Sequence, residues 1–458
     1  MKKLVYLIST TLILLVLILF MPKEVFAATV TNAGELQAQL TNSIIEENKV
    51  TLTQDITISE NIDVTSGEIV LDLAGNNITN QGHHYRTMFS IKGGTLTIED
   101  SSENEEGELN TTAPLLSIIT VEDEGKVIIN AGKFTNIENY ALTNAGGSTT
   151  INGGTFLNQQ DDYAISTGGG SLTINGGTFE GAEGGALFNG PDEDEVIVNG
   201  GNFYGREGCY INAGTVIINN GTFEGTERGA RVYIWPKLFI NGGTFKGGQS
   251  GVSISNKDTD IKLSGGKFIA TDEENFGGVN IWSAYIDTTY DPLALLEDGY
   301  IYYDNDTIDV KMNPNNMNHN YYCTQSTVEV KKLYEIEVLQ GQNGTIKIDE
   351  DKAVQGQKIK VETLPETGYE LDSIVVTTES GKIITVKDNT FEMVDENVKL
   401  SAKFKLIENT ETEAGDEQRP DEEKDDTPKT GNSYNYKLVK IVVSSIVLLG
   451  IIYFKRKI

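Results

Sequence analysis

The sequence predicts an all-β chain in which a parallel β-helix, with coils of about 22 residues, is followed by a small antiparallel β domain. Three observations predict this fold: a recurring six-residue motif, a turn of the Asn-Gly-Gly type within it, and a later change to strict polar/apolar alternation. The motif begins at Ile129, Ile151, Ile174, Val198, Ile218, Ile240 and Leu263, at intervals of 22, 23, 24, 20, 22 and 23 residues. Such a period fits one coil of three short strands, stacked about 4.8 Å from the next coil.

Each copy of the motif assigns its residues to positions in a coil. The aliphatic residue and the Phe should point inward, while the glycines supply the positive φ of a tight corner. The second-position asparagines should form a hydrogen-bonded ladder; they are Asn130, Asn152, Asn175, Asn199, Asn219 and Asn241. A leucine-rich repeat has a similar period but needs a Leu-x-x-Leu-x-Leu skeleton, which is absent. Features that recur in every coil indicate stacking rather than a binding site.

Weaker copies extend the repeat upstream, so the β-helix is expected over residues 50–300. These copies are Val50–Ile58, Ile69–Leu73 and Leu96–Ile98. Leu36 and Leu40 predict a short amphipathic helix over the open N-terminal end, within a cap spanning 28–49. The whole repeated region resembles the pectate-lyase-like right-handed β-helix family found in Firmicute surface proteins. That resemblance specifies the fold more than the function.

The residues after the β-helix predict a closing segment and a second domain. A tyrosine-rich stretch that begins with Leu295–Tyr300 should close the C-terminal end, with 301–333 as the closing segment. Residues 334–405 alternate in polarity, as half-exposed antiparallel strands do. Its pieces Asn343-Gly344-Thr345, Gly368–Leu371, Phe391–Met393 and Ala402–Phe404 resemble the divergent internalin-type B repeat. The resemblance implies a spacer or adhesive stalk. The charged composition of the next residues predicts an acidic linker over 406–426.

The first 27 residues have the order of a secretory signal peptide. Lys2 and Lys3 precede an apolar run from Leu4 to Phe20, and a small-x-small pattern ends at Ala27. Cleavage is expected between Ala27 and Ala28. An uncleaved membrane anchor is the alternative, because the apolar run is almost long enough to span a bilayer.

The C-terminal segment 427–458 contains Thr427-Pro428-Lys429-Thr430-Gly431, followed by the apolar run Ile441–Phe454 and a basic tail. This order resembles the cell-wall sorting signal of Gram-positive surface proteins, with Thr427 where the family has Leu. The resemblance implies that sortase cleaves after Thr430 and joins it to peptidoglycan, so the protein is secreted and covalently attached to the wall. A simple C-terminal membrane anchor is the alternative.

A second, complete Leu-Pro-x-Thr-Gly sequence occurs upstream at Leu364–Gly368. No apolar segment or basic tail follows it directly, and strand-like runs lie on both sides. The sequence therefore predicts a turn of the second domain at this place, not a sorting site.

Charge and composition exclude several functional classes. With 67 acidic and 36 basic side chains, the net charge of −31 repels phosphate backbones, so nucleic acid is not an expected partner. Two cysteines, Cys209 and Cys323, and three histidines are too few for Cys/His zinc frameworks or a disulfide scaffold. Cys209 reads as a small core residue.

Ligand sites on a β-helix form where outward side chains of successive coils line up. One predicted outward column reads Leu142, Ile165, Leu187, Tyr210, Arg231, Ser253 and Asn280. The predicted ligand-binding residues are Tyr210, Arg231, Tyr233, Trp235 and Trp282. Aromatic rings stack on sugar C–H faces and guanidinium groups hold carboxylates or sulfates, so an acidic glycan is the expected ligand. Alternatively, these side chains pack under a loop, or the arginines only offset neighbouring glutamates.

The leading functional prediction is a surface adhesin or glycan-binding protein without turnover, recognising a glycan or host surface ligand. The alternative is a wall-bound polysaccharide lyase or glycoside hydrolase. Asp161 and Asp162 offer an acid pair, and Asp192–Glu195 could attract calcium, but no histidine lies between residues 85 and 318. The tetrad His83–Arg86 reads as a loop between early coils. No catalytic residue, metal ligand or cofactor is therefore assigned, and calcium is the one ion considered.

Overall fold

The computed structural model describes residues 26–41, 48–82, 87–104, 106–160, 162–190, 195–255, 260–272, 277–282, 292–304 and 321–408. The predicted fold class is confirmed: a β-solenoid of about ten turns is followed by a small region of antiparallel strands. The described part of the chain has no helix with the length and apolarity that a membrane crossing needs. The apolar run predicted to be a signal peptide, the linker after residue 408 and the predicted sorting motif lie outside the described residues.

Each coil contributes strands to three parallel faces, and several long strands turn a corner to serve two of them. The first face contains Phe26–Val30, Asn48–Leu52, Glu68–Asp72, Glu195–Val198, Thr215–Ile218, Lys237–Ile240 and Asp260–Leu263. The second face contains Ile56–Ile58, Ile78–Asn80, Glu108–Thr111, Lys133–Asn136, Thr155–Asn158, Thr178–Glu180, Thr244–Gly247 and Lys267–Ala270. The third face contains Ile62–Val64, Gly184–Asn189, Ser250–Ile254 and Val279–Trp282. The strands shared between faces are Thr87–Glu99, Ser117–Ile129, Tyr140–Ile151, Tyr163–Ile174, Asn202–Ala213 and Thr222–Val232.

The interior is a continuous apolar core, and the motif phenylalanines form its most regular part. Their rings stack in one column with centroids 4.6–5.2 Å apart, and every ring is fully buried. The column is Phe134, Phe156, Phe179, Phe203, Phe223, Phe245 and Phe268. The predicted inward direction of these residues is confirmed.

The predicted asparagine ladder is also confirmed and runs along one exposed turn. Each Asn donates its Nδ2 hydrogen to the Oδ1 of the Asn one coil before, at 2.8–2.9 Å, and Ser264 continues the series by donating to Asn241. The second glycine of the motif takes the positive φ of this corner, as Gly154 does at +94°. A side chain there would also lie 2.8 Å from the Gly132 carbonyl oxygen, so both the backbone conformation and the spacing of coils favour glycine.

The helix Ala33–Thr41 forms as predicted, with Leu36 and Leu40 fully buried. Asn32 caps it by accepting a hydrogen bond from the Glu35 N–H at 3.0 Å. The structure adds a strand, Phe26–Val30, before this helix, and it pairs in parallel with the first-face strand at 48–52. Cleavage between Ala27 and Ala28 would remove the first two residues of that strand.

Antiparallel strands close the C-terminal end and continue into the second domain. The 3₁₀ turn Pro292–Leu295, Tyr300–Tyr303 and Tyr321–Cys323 lie at the last coil, where Tyr302 is buried. Strand Thr327–Leu339 pairs first with the solenoid end and then with the second domain. The remaining strands are Gly344–Lys347, Lys352–Val354, Lys358–Lys360, Glu362–Pro365, Tyr369–Thr378, Ile383–Ile384, Thr390–Glu392 and Val398–Leu406.

The upstream Leu-Pro-Glu-Thr-Gly sequence forms the turn that its context predicts. Pro365 ends one strand and Tyr369 begins the next. The N–H of Tyr369 donates to the Glu366 carbonyl at 2.9 Å, and Gly368 takes a φ of +89°. This motif is therefore a hydrogen-bonded turn between two strands, each of which pairs with another strand of the second domain.

Candidate functional site

The third face brings together three of the predicted ligand-binding residues. Tyr210 and Arg231 are register partners on adjacent coils, and Tyr233 lies two residues beyond Arg231. The guanidinium carbon of Arg231 is 5.2 Å from the Tyr210 ring centroid and 5.4 Å from that of Tyr233. Arg231 therefore lies between two aromatic rings, at distances typical of cation–π contacts.

The two predicted tryptophans lie on different coils of the solenoid. Trp235 follows the end of the strand at Val232 and is 65% exposed, while Tyr233 is 39% exposed. The backbone of Trp282 lies in the last third-face strand and pairs antiparallel with Tyr321, but its side chain lies outside the described residues. Tyr233 and Trp235 thus form the exposed aromatic part of this face.

A buried carboxylate lies beneath the aromatic residues. Glu207 is completely buried, yet its Oε1 is 3.0 Å from Arg228 and 3.4 Å from Arg231. Two guanidinium groups therefore compensate a charge that has been removed from water. The Arg228 guanidinium has two further partners: Nη1, which also contacts Glu207, donates to Glu227 at 2.8 Å, and Nη2 donates to Gln249 at 2.7 Å.

Tyr163 was not predicted as part of this site, and it reaches Glu207 across an intervening coil. Its hydroxyl donates to Glu207 Oε2 at 3.5 Å, and its ring stacks on Tyr210 with centroids 6.1 Å apart. The coil between them carries Gly184, and a Cβ there would lie only 2.8 Å from the Tyr163 ring. Gly184 lies between Tyr163 and Glu207 in the strand register, so its lack of a side chain leaves room for this contact, and the sequence alone carried no signal for it.

Burial dominates the ionisation of this cluster. It raises the pKa of Glu207 despite the attraction of the nearby arginines, because removing the carboxylate from water costs more than they return. Burial also raises the pKa of Tyr163, and the Glu207 charge adds to that effect. The Tyr163 phenol is therefore a protonated hydrogen-bond donor at neutral pH.

Arg231, which was predicted to meet an acidic ligand, and its neighbours Arg206 and Arg228 already have carboxylate partners within the protein. Arg206 pairs with Glu183 at 2.6 Å, in addition to the pairs made by Arg228 and Arg231. Arg228 pairs with both Glu207 and Glu227, which is the arrangement expected if the arginines offset neighbouring glutamates. Because the arginines are paired while Tyr233 and Trp235 are exposed, the face suits contact with sugar C–H groups better than bidentate binding of a free carboxylate.

The predicted outward column needs a correction in two coils. Leu142 and Ile165 are fully buried, because Ile165 pairs with Ala186 and Ser166 pairs with Leu187. The turn between each motif Phe and the next strand varies in length, and a one-residue slip exchanges inward and outward positions. The later members of the column, including Tyr210, keep the predicted register.

The acidic residues considered for catalysis are only partly described. Asp162 accepts a hydrogen bond from the Tyr163 N–H at 2.9 Å, and burial raises the pKa of its carboxyl group. Asp161, Asp192–Asp194 and the His83–Arg86 tetrad lie outside the described residues. Among the residues that the structure describes, no group of three or more His, Cys, Asp or Glu side chains could hold a metal ion.

Cys209 points into the solenoid, as predicted. Its side chain is fully buried within the apolar core, and burial raises the pKa of the thiol well above its ordinary value. The thiol is therefore a packing group and not a nucleophile.

Comparison with known proteins identifies one part of the chain. No curated protein and no solved structure matches it. Residues 334–408 match the divergent InlB B-repeat domain, a family typical of surface-exposed bacterial proteins. The predicted B-repeat is therefore confirmed: the chain joins a β-solenoid to a divergent InlB B-repeat domain, an organisation that fits a surface protein in general.

Proposed function

We propose that this protein is exported, is attached to a Gram-positive cell wall through Thr430, and presents its solenoid as a glycan-binding adhesin. The observation that carries the proposal is the B-repeat domain at residues 334–408, placed between the solenoid and the sorting-type terminus. A spacer at this position would hold the solenoid away from the anchoring point. We also propose that the solenoid is related to the pectate-lyase-like β-helix proteins.

Wall attachment is tested by the identity of the C-terminal residue. Protein released from cells by a muramidase should yield a C-terminal peptide that ends at Thr430 and carries peptidoglycan fragments. Thr430→Ala should instead leave the protein in the membrane fraction and the medium. As the matched control, Thr367→Ala in the upstream motif should not change attachment. A native C-terminus at Ile458 would refute covalent anchoring.

Glycan binding is proposed because the exposed part of the third face is aromatic. Tyr233 and Trp235 present large, partly apolar surfaces, and the Tyr233 ring is held in place by the Arg231 contact. Tyr233→Ala should weaken glycan binding about tenfold, whereas Tyr233→Phe should retain it, because the ring makes the contact. Equal binding by wild type and Tyr233→Ala would remove this residue from the site.

A lyase or hydrolase is the second candidate, and the raised pKa of Asp162 is the observation that favours it. Glu207 is less suited to act on a substrate, because it is fully buried and paired with two arginines. Incubation of the protein with glycans should therefore leave their length unchanged. Shorter products that disappear in Asp162→Asn would establish the enzyme instead.

A further inference from the structure

The corner between the second and third faces carries a groove apart from the Tyr233 and Trp235 surface. We define this corner groove by Asn158, Glu180, Tyr204, Arg206, Glu224 and Thr226, which line a space of about 590 Å³. This volume lies within the range of small-ligand sites, about 300 to 1,000 Å³. The groove crosses successive coils and therefore runs along the solenoid axis.

The groove exists because the corner carries a column of glycines. Gly205 pairs with Gly225, which pairs with Gly247 on the next coil. A Cβ on Gly205 would lie 2.4 Å from the Gly181 carbonyl oxygen, and one on Gly225 would lie 2.6 Å from the Arg206 carbonyl oxygen, each on the preceding coil. Successive coils can approach this closely only without side chains, and the same absence leaves the floor open.

One wall of the groove repeats with the spacing of the coils. Glu180, Tyr204 and Glu224 are register partners on three consecutive strands, so they follow one another at about 4.8 Å. The two carboxylates therefore flank the tyrosine ring along the axis, about 10 Å apart in backbone position. A ring between two hydrogen-bond acceptors is suited to a sugar, whose C–H face meets the ring while its hydroxyls donate to the carboxylates.

The charges of the groove decide which sugar fits. Lys246 pairs with Glu224 at 2.5 Å and Arg206 pairs with Glu183 at 2.6 Å, so both cations have carboxylate partners, while Glu180 is exposed. The net negative charge of the groove would repel uronates and sulfates, whereas it would not repel an uncharged glycan.

We propose that the corner groove binds a linear, uncharged glycan strand that lies along the solenoid axis, with Tyr204 as its stacking platform. The inference rests on the proposed glycan-binding function and adds the place, direction and charge class of the ligand. The proposed uncharged ligand differs from the acidic glycan that the sequence predicted, because the arginines of this region already pair with carboxylates of the protein.

The test measures binding of the purified full chain to labelled oligosaccharides of neutral hexoses, N-acetylhexosamines, uronates and sulfated sugars. Wild type should bind a neutral or N-acetylated series, with affinity that rises with chain length as more coils are engaged. Tyr204→Ala should weaken this binding about tenfold, whereas Tyr204→Phe should retain it. Glu180→Gln should weaken it less, because an amide oxygen still accepts one hydroxyl.

Unchanged thermal unfolding of each variant shows that the fold is retained, and Tyr233→Ala serves as the comparison on the neighbouring face. Binding of neutral glycans that Tyr204→Ala leaves intact would overturn the groove assignment but not the adhesin. Binding restricted to uronates or sulfates would overturn the charge class. No binding of any glycan would overturn the proposed function and this inference together.

Discussion

The inner phenylalanine column and the outer tyrosine–arginine face lie on the same coils but follow different rules. Inside, seven successive coils contribute a phenylalanine in the same place, and the rings stack with centroids 4.6–5.2 Å apart. Outside, Tyr163, Tyr210, Arg231 and Tyr233 occur once each and are joined by contacts that cross coils. Repetition therefore identifies what stacks the solenoid, and departures from repetition identify where a specific function can reside.

Removing an inner ring should have the largest effect on stability. Phe203 is fully buried between Phe179 and Phe223, with both centroids 4.6 Å away. Phe203→Ala should lower the free energy of unfolding by about 3 to 5 kcal/mol, because it leaves a cavity and removes two ring contacts. Urea unfolding followed by circular dichroism measures this loss.

The control for this prediction is the next residue on the same coil. Tyr204→Ala removes an outward ring and should change the free energy of unfolding by less than about 1 kcal/mol. Similar losses from both variants would show that the outer residues contribute to stacking as the inner ones do. The contrast between the two regions would then fail.

Truncation of Glu207 should have the next largest effect, because this is the one outer-face carboxylate in the cluster that behaves like a core residue. Glu207→Ala leaves Arg231 without its carboxylate and should cost about 3 kcal/mol. Glu227→Ala is the matched control, since Glu227 is partly exposed and its loss should cost less than about 1 kcal/mol. Denaturant midpoints of both variants at pH 7 decide the matter, and equal costs would contradict the prediction.

The same residue predicts a pH dependence with a definite sign. Burial raises the folded-state pKa of Glu207 above its ordinary value of 4.5, so the folded protein holds this proton more tightly than the unfolded chain. Stability relative to Glu207→Gln should therefore be greatest below pH 4.5 and should fall as pH rises through the raised pKa. Unfolding free energies of both proteins between pH 4 and 7 measure it. A relative gain with rising pH would show that the arginines outweigh burial.

The asparagine ladder should contribute less, since it is exposed to water. Asn175 donates to Asn152 at 2.8 Å and accepts from Asn199 at 2.9 Å, so Asn175→Ala breaks two hydrogen bonds and should cost about 1 to 2 kcal/mol. Ser264→Ala removes the single bond at the end of the ladder and should cost about half as much. Equal decreases in the thermal midpoint of the two variants would contradict a ladder whose hydrogen bonds contribute additively to stability.

The contrast between repeated and non-repeated positions also explains which features could be predicted from the sequence. The inward direction of Phe203 and the ladder role of Asn175 could be predicted because each position recurs at the coil period. The contact of Tyr163 with Glu207 could not, since it joins residues 44 positions apart and depends on Gly184 between them. The glycines of the corner groove were unassigned for a similar reason. Their alignment requires the register of coils whose turns differ in length.

Truncation of Trp235 should have the smallest effect on stability and the sharpest effect on function. Its side chain is 65% exposed, so Trp235→Ala should change the free energy of unfolding by less than about 0.5 kcal/mol while it weakens glycan binding severalfold. Ile383→Ala is the matched control, because Ile383 is 71% exposed but lies in the B-repeat domain. If both variants reduced binding equally, the loss would reflect exposed apolar surface in general. A loss confined to Trp235→Ala would place recognition on the non-repeated outer face, since the inner column keeps the coils stacked in both variants.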